Sequence, residues 1–195
     1  MTVPDEIIIR PATKSDAAEL AILVDLSSHG FASWFWYGAV LDGSKETAFE
    51  QGRSFMRSDT ERAGWRDSSV AMVRDEIAGV IIGHPIDESI IDETPSHPVT
   101  EPILALQKTL VGHWFIDSLG VYRHLRGKGL GKRLLRHEVE RGAGRPISLI
   151  TESHNETALG LYKSYGFAEV TRRQAVPLFD DSKEHDWVLL TRGAA

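Results

Sequence analysis

One stretch limits this chain more than any other. Residues 126–132 read Arg-Gly-Lys-Gly-Leu-Gly-Lys, a glycine-rich basic turn. A β-rich run over 113–121 precedes it, and Leu130, Leu134, Leu135 and Val139 follow at helical spacing. Strand, glycine turn and helix together favour an anion. The helix N-terminus offers unpaired N–H groups and the positive end of its dipole, and glycines let the backbone come close. Two nucleotide motifs fail on spacing. A G-x-x-x-x-G-K-[ST] loop needs one more residue between Gly127 and Gly131, and Arg133 stands where its hydroxyl should be. A G-x-G-x-x-G fingerprint begun at Gly127 puts Lys132 at its third glycine, and begun at Gly129 puts Leu134 there. The spacing that does fit is R-x-x-G-x-G on Arg126, Gly129 and Gly131.

The rest of the chain interleaves strands and helices, which predicts a mixed α/β fold. Residues 6–10 are a β-branched run ended by Pro11. Thr13, with Asp16 three residues on, resembles a capping box before a helix that ends near His29-Gly30. Residues 31–37 hold Phe31, Trp34, Phe35, Trp36 and Tyr37, a second helix or a pocket wall, and another helix is expected over 44–57. Runs 69–73 and 77–82, parted by Arg74, Asp75 and Glu76, predict a hairpin. Residues 85–98 mix acidic residues with three prolines and read as a loop or insertion, followed by a helix over 100–110. After the glycine turn, Gly142 and Gly144 end the helix, and 147–151 form a strand. Asn155 opens a short helix stopped at Gly166, and 167–176 and 186–191 close the chain as strands.

Composition narrows the function. The 195 residues are 42% hydrophobic and 26% charged, as in ordinary globular domains, and one domain over 1–195 is expected, with 85–112 as a loop-plus-helix insertion. No cysteine is present, so disulfides, thiolate metal sites and cysteine nucleophiles are excluded. The net charge of −6 disfavours nucleic acid and suits a positively charged small substrate. The first ten residues lack the basic region of a secretory signal, and no run approaches the roughly 20 apolar residues of a membrane helix. A cytoplasmic protein with no membrane partner is expected.

The whole stretch 119–135, Leu-Gly-Val-Tyr-Arg-His-Leu-Arg-Gly-Lys-Gly-Leu-Gly-Lys-Arg-Leu-Leu, resembles the acyl-CoA pyrophosphate loop of the GCN5-related N-acetyltransferase (GNAT) superfamily. A second match follows. That family has a later strand, an asparagine, a short helix and Y-x-x-x-G-F, and this chain has 147–151, Asn155, Tyr162, Gly166 and Phe167. Asn155 and Tyr162 are seven residues apart, so they share a helix face about 10 Å apart along the axis. One departure is Arg123, where many relatives have proline.

The resemblance implies a twisted, mostly antiparallel central sheet with a splayed parallel strand pair, flanked by helices. It implies transfer of an acetyl group from acetyl-CoA to a primary amine, by direct attack through a tetrahedral intermediate and with no metal. Backbone groups of Arg126, Gly127, Lys128, Gly129, Leu130, Gly131 and Lys132 would hold the pyrophosphate. Those of Leu119, Gly120 and Val121 would pair with the pantetheine arm and polarise the thioester carbonyl, with Asn155 and Tyr162 also on the cofactor. Tyr162 matches the acid that protonates the leaving thiolate. Asp117 shares a strand face with Val121 and is a candidate general base or amine-binding carboxylate, with Glu152 and His154 as alternatives for the base.

The acceptor expected from the resemblance is a small-molecule amine or a peptide amine. His29, Phe31, Trp34, Trp36 and Tyr37 are candidates for its pocket, since an aromatic cluster can pack an apolar amine or hold a cation, although the same residues suit a core helix. Dimers are common in the family, which leaves a homodimer open. Two other functions stay open: a CoA-binding sensor that has lost transfer, and an acyltransferase using a different acyl-CoA.

Overall fold

In a computed structural model that describes residues 6–179 and 181–194, the strands are β1 (Ile7–Pro11), β2 (Ser68–Val73), β3 (Glu76–Pro85), β4 (Trp114–Val121), β5 (Ile147–Glu152), β6 (Ala168–Gln174) and β7 (Asp186–Arg192). The α-helices are α1 (Ala17–Ser27), α2 (Phe31–Trp36), α3 (Gly38–Leu41), α4 (Ala48–Arg57), α5 (Glu101–Gln107), α6 (Leu130–Arg141) and α7 (Glu156–Ser164). Residues 1–5, on which part of the reading of the N-terminus rests, lie outside the described residues. The strands form one mixed sheet in the order β1-β2-β3-β4-β5-β7-β6. Two compact units are present, one within Met1–Gly83 and Asp117–Glu140, the other within His84–Ile116 and Arg141–Ala195. Among the described residues no helix is long and apolar enough to cross a membrane.

In the first unit, β1 pairs antiparallel with β2, and β2 with β3. The β2–β3 turn is made by Arg74, at φ 55, and Asp75, so Glu76 belongs to the strand. The predicted capping box forms: the Thr13 N–H donates to the Asp16 carboxylate at 2.7 Å. Arg10 grips the same carboxylate with two bonds, at 2.8 and 3.0 Å. The core gathers Leu20, Leu23 and Val24 of α1, Trp36 of α2, Met56 of α4 and Val70, Val80 and Ile82 of the sheet. Helix α4 begins later than the expected 44, because Ser44 is held in a turn by the Asp42 carboxylate and the Thr47 hydroxyl caps the Glu50 N–H. Two glycines permit close layers. A Cβ on Gly79 would lie 2.6 Å from the Gly120 carbonyl oxygen, and one on Gly120 would lie 2.6 Å from that of Leu23.

In the second unit, Trp114, Phe115 and Ile116 of β4 pair in parallel with Ile147, Ser148 and Leu149 of β5. This is the expected parallel pair. The paired stretch is short, and both strands run on past it. β5 then pairs antiparallel with β7, and β7 with β6, so the last strand in sequence lies inside the one before it. The segment 85–112 holds short 3-10 turns and α5, the latter tightening to 3-10 geometry at Lys108–Leu110. Its Ile86, Ile90, Leu106 and Leu110 pack with Phe115 and Leu189, so an acidic-looking loop buries an apolar face.

Candidate active site

The glycine turn lies in the first unit. After β4 comes a 3-10 turn at Arg123–Leu125. Leu125 and Leu130 are buried and pin the turn at both ends. Between them the chain is exposed, with Gly127 at φ 80 and Gly129 at φ 79. These backbone angles favour glycine, and no atom lies within 4 Å of where a Cβ on either would stand. The result is an open cradle at the N-terminus of a twelve-residue helix. The Arg133 N–H bonds the Gly129 carbonyl at 3.1 Å, which closes the first helical turn. Arg126 turns back, its Nε donating to the Val121 carbonyl at 2.9 Å. Lys128 and Lys132 are exposed, and Gly131 is half-buried in the first turn of α6.

Along β4 the predicted alternation holds. Asp117, Leu119 and Val121 are exposed or half-buried, while Ser118 and Gly120 are buried. The Ser118 hydroxyl donates to the Asp117 carboxylate at 2.9 Å. Just past the strand, the Tyr122 hydroxyl donates to Glu19 at 2.5 Å, and burial together with that carboxylate raises the phenol above its ordinary range. Glu19, Asp75, Glu76, Ile77, Tyr122 and His124 line an open cavity of about 510 Å³, which no spacing in the sequence announces.

The aromatic run divides between core and surface. Trp36 is buried, its ring lying where a side chain on Gly52 would otherwise stand, 2.4 Å from that Cβ position. Phe31 and Trp34 are half-buried neighbours, with ring centroids 6.1 Å apart. His29, Phe35 and Tyr37 are exposed.

The second unit carries the other half. The Asn155 side-chain oxygen caps α7, accepting the Ala158 N–H at 3.1 Å, and its amide nitrogen takes no part in that bond. Tyr162 is buried on the same helix, edge-on to Phe167 at 5.9 Å. Burial raises its phenol well above the ordinary value, which makes it a weaker acid than a free tyrosine. At the end of β5, His154 Nε2 lies 3.3 Å from a Glu152 carboxylate oxygen. The structure adds residues that no motif pointed to. His185, just before β7, stands edge-on to His154 at 5.2 Å and to Trp187 at 5.1 Å. The cross-strand partnership of Glu152 with Trp187 brings it there. Among the described residues no group of three or more metal-ligating side chains is placed to hold an ion.

Known proteins share this fold. The N-alpha-acetyltransferase RimI of Mycobacterium tuberculosis is 33% identical over 72 residues, 37% of this chain and 46% of the relative, so the match spans less than half of that protein's length. An N-acetyltransferase from Staphylococcus aureus Mu50 superposes at a TM-score of 0.66 with 20% identity, over 95% of this chain and 100% of the other. The Salmonella typhimurium protein yncA, solved with its cofactor acetyl-CoA, superposes at 0.59 with 16% identity, over 97% and 94%. Both likenesses establish the fold. The sequence pattern of the Acetyltransferase (GNAT) family matches residues 34–167, more than half of the chain and inclusive of the glycine turn, Asn155 and Tyr162, and the chain belongs to that family.

Proposed function

We propose that this protein is an acetyl-CoA-dependent N-acetyltransferase acting on a primary amine. The observation that carries the reading is the open cradle at Gly127 and Gly129, two left-handed glycines just ahead of α6 with no atom within 4 Å of either Cβ position. It suits a pyrophosphate, and it is the place the family resemblance gives one. Acetyl-CoA supplies an activated acetyl thioester when bound. Residues 126–132 hold its pyrophosphate, and the backbone of Leu119, Gly120 and Val121 lies along its arm. The Asn155 amide nitrogen is the group left to meet the arm once its oxygen caps α7.

Tyr162 gives its proton to the leaving sulfur. A phenol is neutral at pH 7 and so reaches the step with its proton; burial makes this one a weaker acid, so a hydrogen bond to the sulfur is what would draw the proton across. Asp117, exposed on the same strand face as Leu119 and Val121, holds the positive charge of the incoming amine. The acceptor class is supported by the net charge of −6 and by the name of the M. tuberculosis relative, an N-alpha-acetyltransferase. Half-buried Phe31 and Trp34 are the aromatic residues of the 31–37 run best placed to pack an acceptor, since Trp36 is spent in the core.

The test is release of free CoA thiol in a panel of small primary amines and peptides with free N-termini, each run with acetyl-, propionyl- and succinyl-CoA. Turnover with acetyl-CoA and an amine supports the reading. Binding of CoA without turnover on any acceptor points to a sensor, and preference for a longer acyl group points to another acyltransferase.

A further inference from the structure

The cavity beside Tyr122 lies wholly within the first unit. Its walls come from three places in the chain: Glu19 in the first turn of α1, Asp75, Glu76 and Ile77 at the β2–β3 turn, and Tyr122 and His124 just past β4. The floor is fixed, because Ile77 and Tyr122 both pack on the apolar core. The Tyr122 N–H donates to the Ala78 carbonyl at 3.0 Å, and its hydroxyl is tied to Glu19. The His124 ring stacks on the Tyr122 ring, with centroids 6.0 Å apart and 28° between the planes. His124 Nε2 in turn lies 3.3 Å from a Glu76 carboxylate oxygen. An aromatic wall is therefore set among carboxylates from two separate elements.

Space, charge and surface together select a class of ligand. A volume of about 510 Å³ is that of a small-molecule site. Three carboxylates give the cavity a negative field, and among the described residues no lysine or arginine lines it. Tyr122 registers that field: burial, the bond to Glu19 and the charges of Glu19 and Glu76 all push its phenol up. Phosphates and other anions are repelled. A lone metal ion does not fit either, because among the described residues no three ligating side chains gather to hold one. The carboxylates are instead spread round a space that Ile77 and Tyr122 also line. Each has two oxygens, so Glu19 can keep Tyr122, and Glu76 can keep His124, while also accepting from a ligand.

We infer that this cavity binds an aliphatic di- or polyamine, with its ammonium groups against Glu19, Asp75 and Glu76 and its carbon chain against Ile77 and the Tyr122 ring. A ligand with spaced positive charges satisfies carboxylates that do not converge, and the aromatic face adds its own attraction for a cation. The site stands apart from the transferase reading, since none of its lining residues is assigned to the cofactor or the acceptor.

The experiment is calorimetric titration of the full chain, without acetyl-CoA and at one ionic strength, with spermidine, butylamine and magnesium chloride. The proteins are the wild type, Asp75→Asn/Glu76→Gln and Asp92→Asn/Glu93→Gln. Both double variants remove the same charge from exposed residues, the first at the cavity and the second in the 85–112 segment. The wild type is expected to bind one spermidine, and to bind butylamine and magnesium more weakly by roughly tenfold or more. Asp75→Asn/Glu76→Gln is expected to weaken spermidine binding by about five- to tenfold, and Asp92→Asn/Glu93→Gln to leave it unchanged. Equal losses in the two double variants would mean attraction to the net charge of −6 alone, and would overturn the inference. Magnesium or butylamine binding as tightly as spermidine would overturn it too. So would spermidine binding that survives at the cavity variant and is lost in Asp117→Asn, which would put the amine at the acceptor site and leave the transferase reading standing. Thermal unfolding reports whether each variant folds, and Asp75→Asn alone gives the same comparison with a single charge removed.

Discussion

Gly120 lies directly beneath the backbone of α1, where a Cβ would stand 2.6 Å from the Leu23 carbonyl oxygen. The strand that the resemblance places along the acetyl-CoA arm is thus also the strand on which the first helix closes. Side chains can swing aside, but a carbonyl in the middle of a helix cannot move alone. Gly120→Ala is expected to destabilise the fold by about 1–3 kcal/mol through overpacking. Urea denaturation of the two proteins checks it, and matching midpoints would contradict the close approach.

Arg10 and Asp16 make the fold sensitive to acid. Bonds from Arg10, joined by those from Thr13, hold the Asp16 carboxyl at about 2, below the ordinary 3.8. A carboxyl depressed in the folded state stabilises the fold fully above its unfolded value. That contribution falls away as pH drops from about 4 towards 2. Arg10 is partly exposed, so about 1 kcal/mol is expected rather than the full shift. Stability of Asp16→Asn measured from pH 7 to 2 should start lower by that amount and converge with the wild type at the acid end.

On the proposed function Asn155 has two jobs for two atoms, capping α7 with its oxygen and meeting acetyl-CoA with its nitrogen, and substitutions can part them. Asn155→Ala removes the cap of α7, which costs about 1 kcal/mol. Asn155→Asp keeps an oxygen for the Ala158 N–H but loses the amide donor. The aspartate variant is therefore expected to unfold like the wild type and to bind acetyl-CoA more weakly, by calorimetric titration. Equal affinity would remove Asn155 from the cofactor site.

The parts of this protein that could be read from the chain are those in which cause and effect lie close together. Gly127 and Gly129 adopt left-handed angles inside a single turn, Thr13 and Asp16 meet within one helical turn, and Asn155 caps the helix that it begins. The β4 alternation that sets Asp117 beside Leu119 and Val121 is likewise a local period. What escaped depends on pairing across the chain. His185 reaches His154 only because β5 pairs with β7 rather than with β6, and nothing near either histidine says so. The aromatic run from 31 to 37 could not be sorted into core and surface without Gly52, which makes room for Trp36 from a different helix. In the 85–112 segment, acidic residues and prolines drew attention away from Ile86, Ile90, Leu106 and Leu110, which bury its other side.

Tyr162→Phe separates catalysis from binding. The phenol is buried and makes an edge contact with Phe167 that a phenylalanine ring can keep. The variant is expected to fold and to bind acetyl-CoA unchanged, while kcat falls by about 100-fold or more. Single-turnover rates of CoA release give the comparison, and an unchanged rate would mean that water protonates the thiolate.

The most direct test of the account is thermal unfolding with acetyl-CoA and, separately, with free CoA, on the wild type and on Gly129→Ala. The glycine sits at φ 79, so alanine strains the turn that shapes the cradle. Ligand at about 100 times its dissociation constant adds roughly 2.7 kcal/mol to a fold that binds it. The account predicts a clear upward shift with both ligands for the wild type and a much smaller one for Gly129→Ala. No shift of the wild type with either ligand would contradict a working CoA site at residues 126–132, and the assignments to Tyr162 and Asn155 would fall with it.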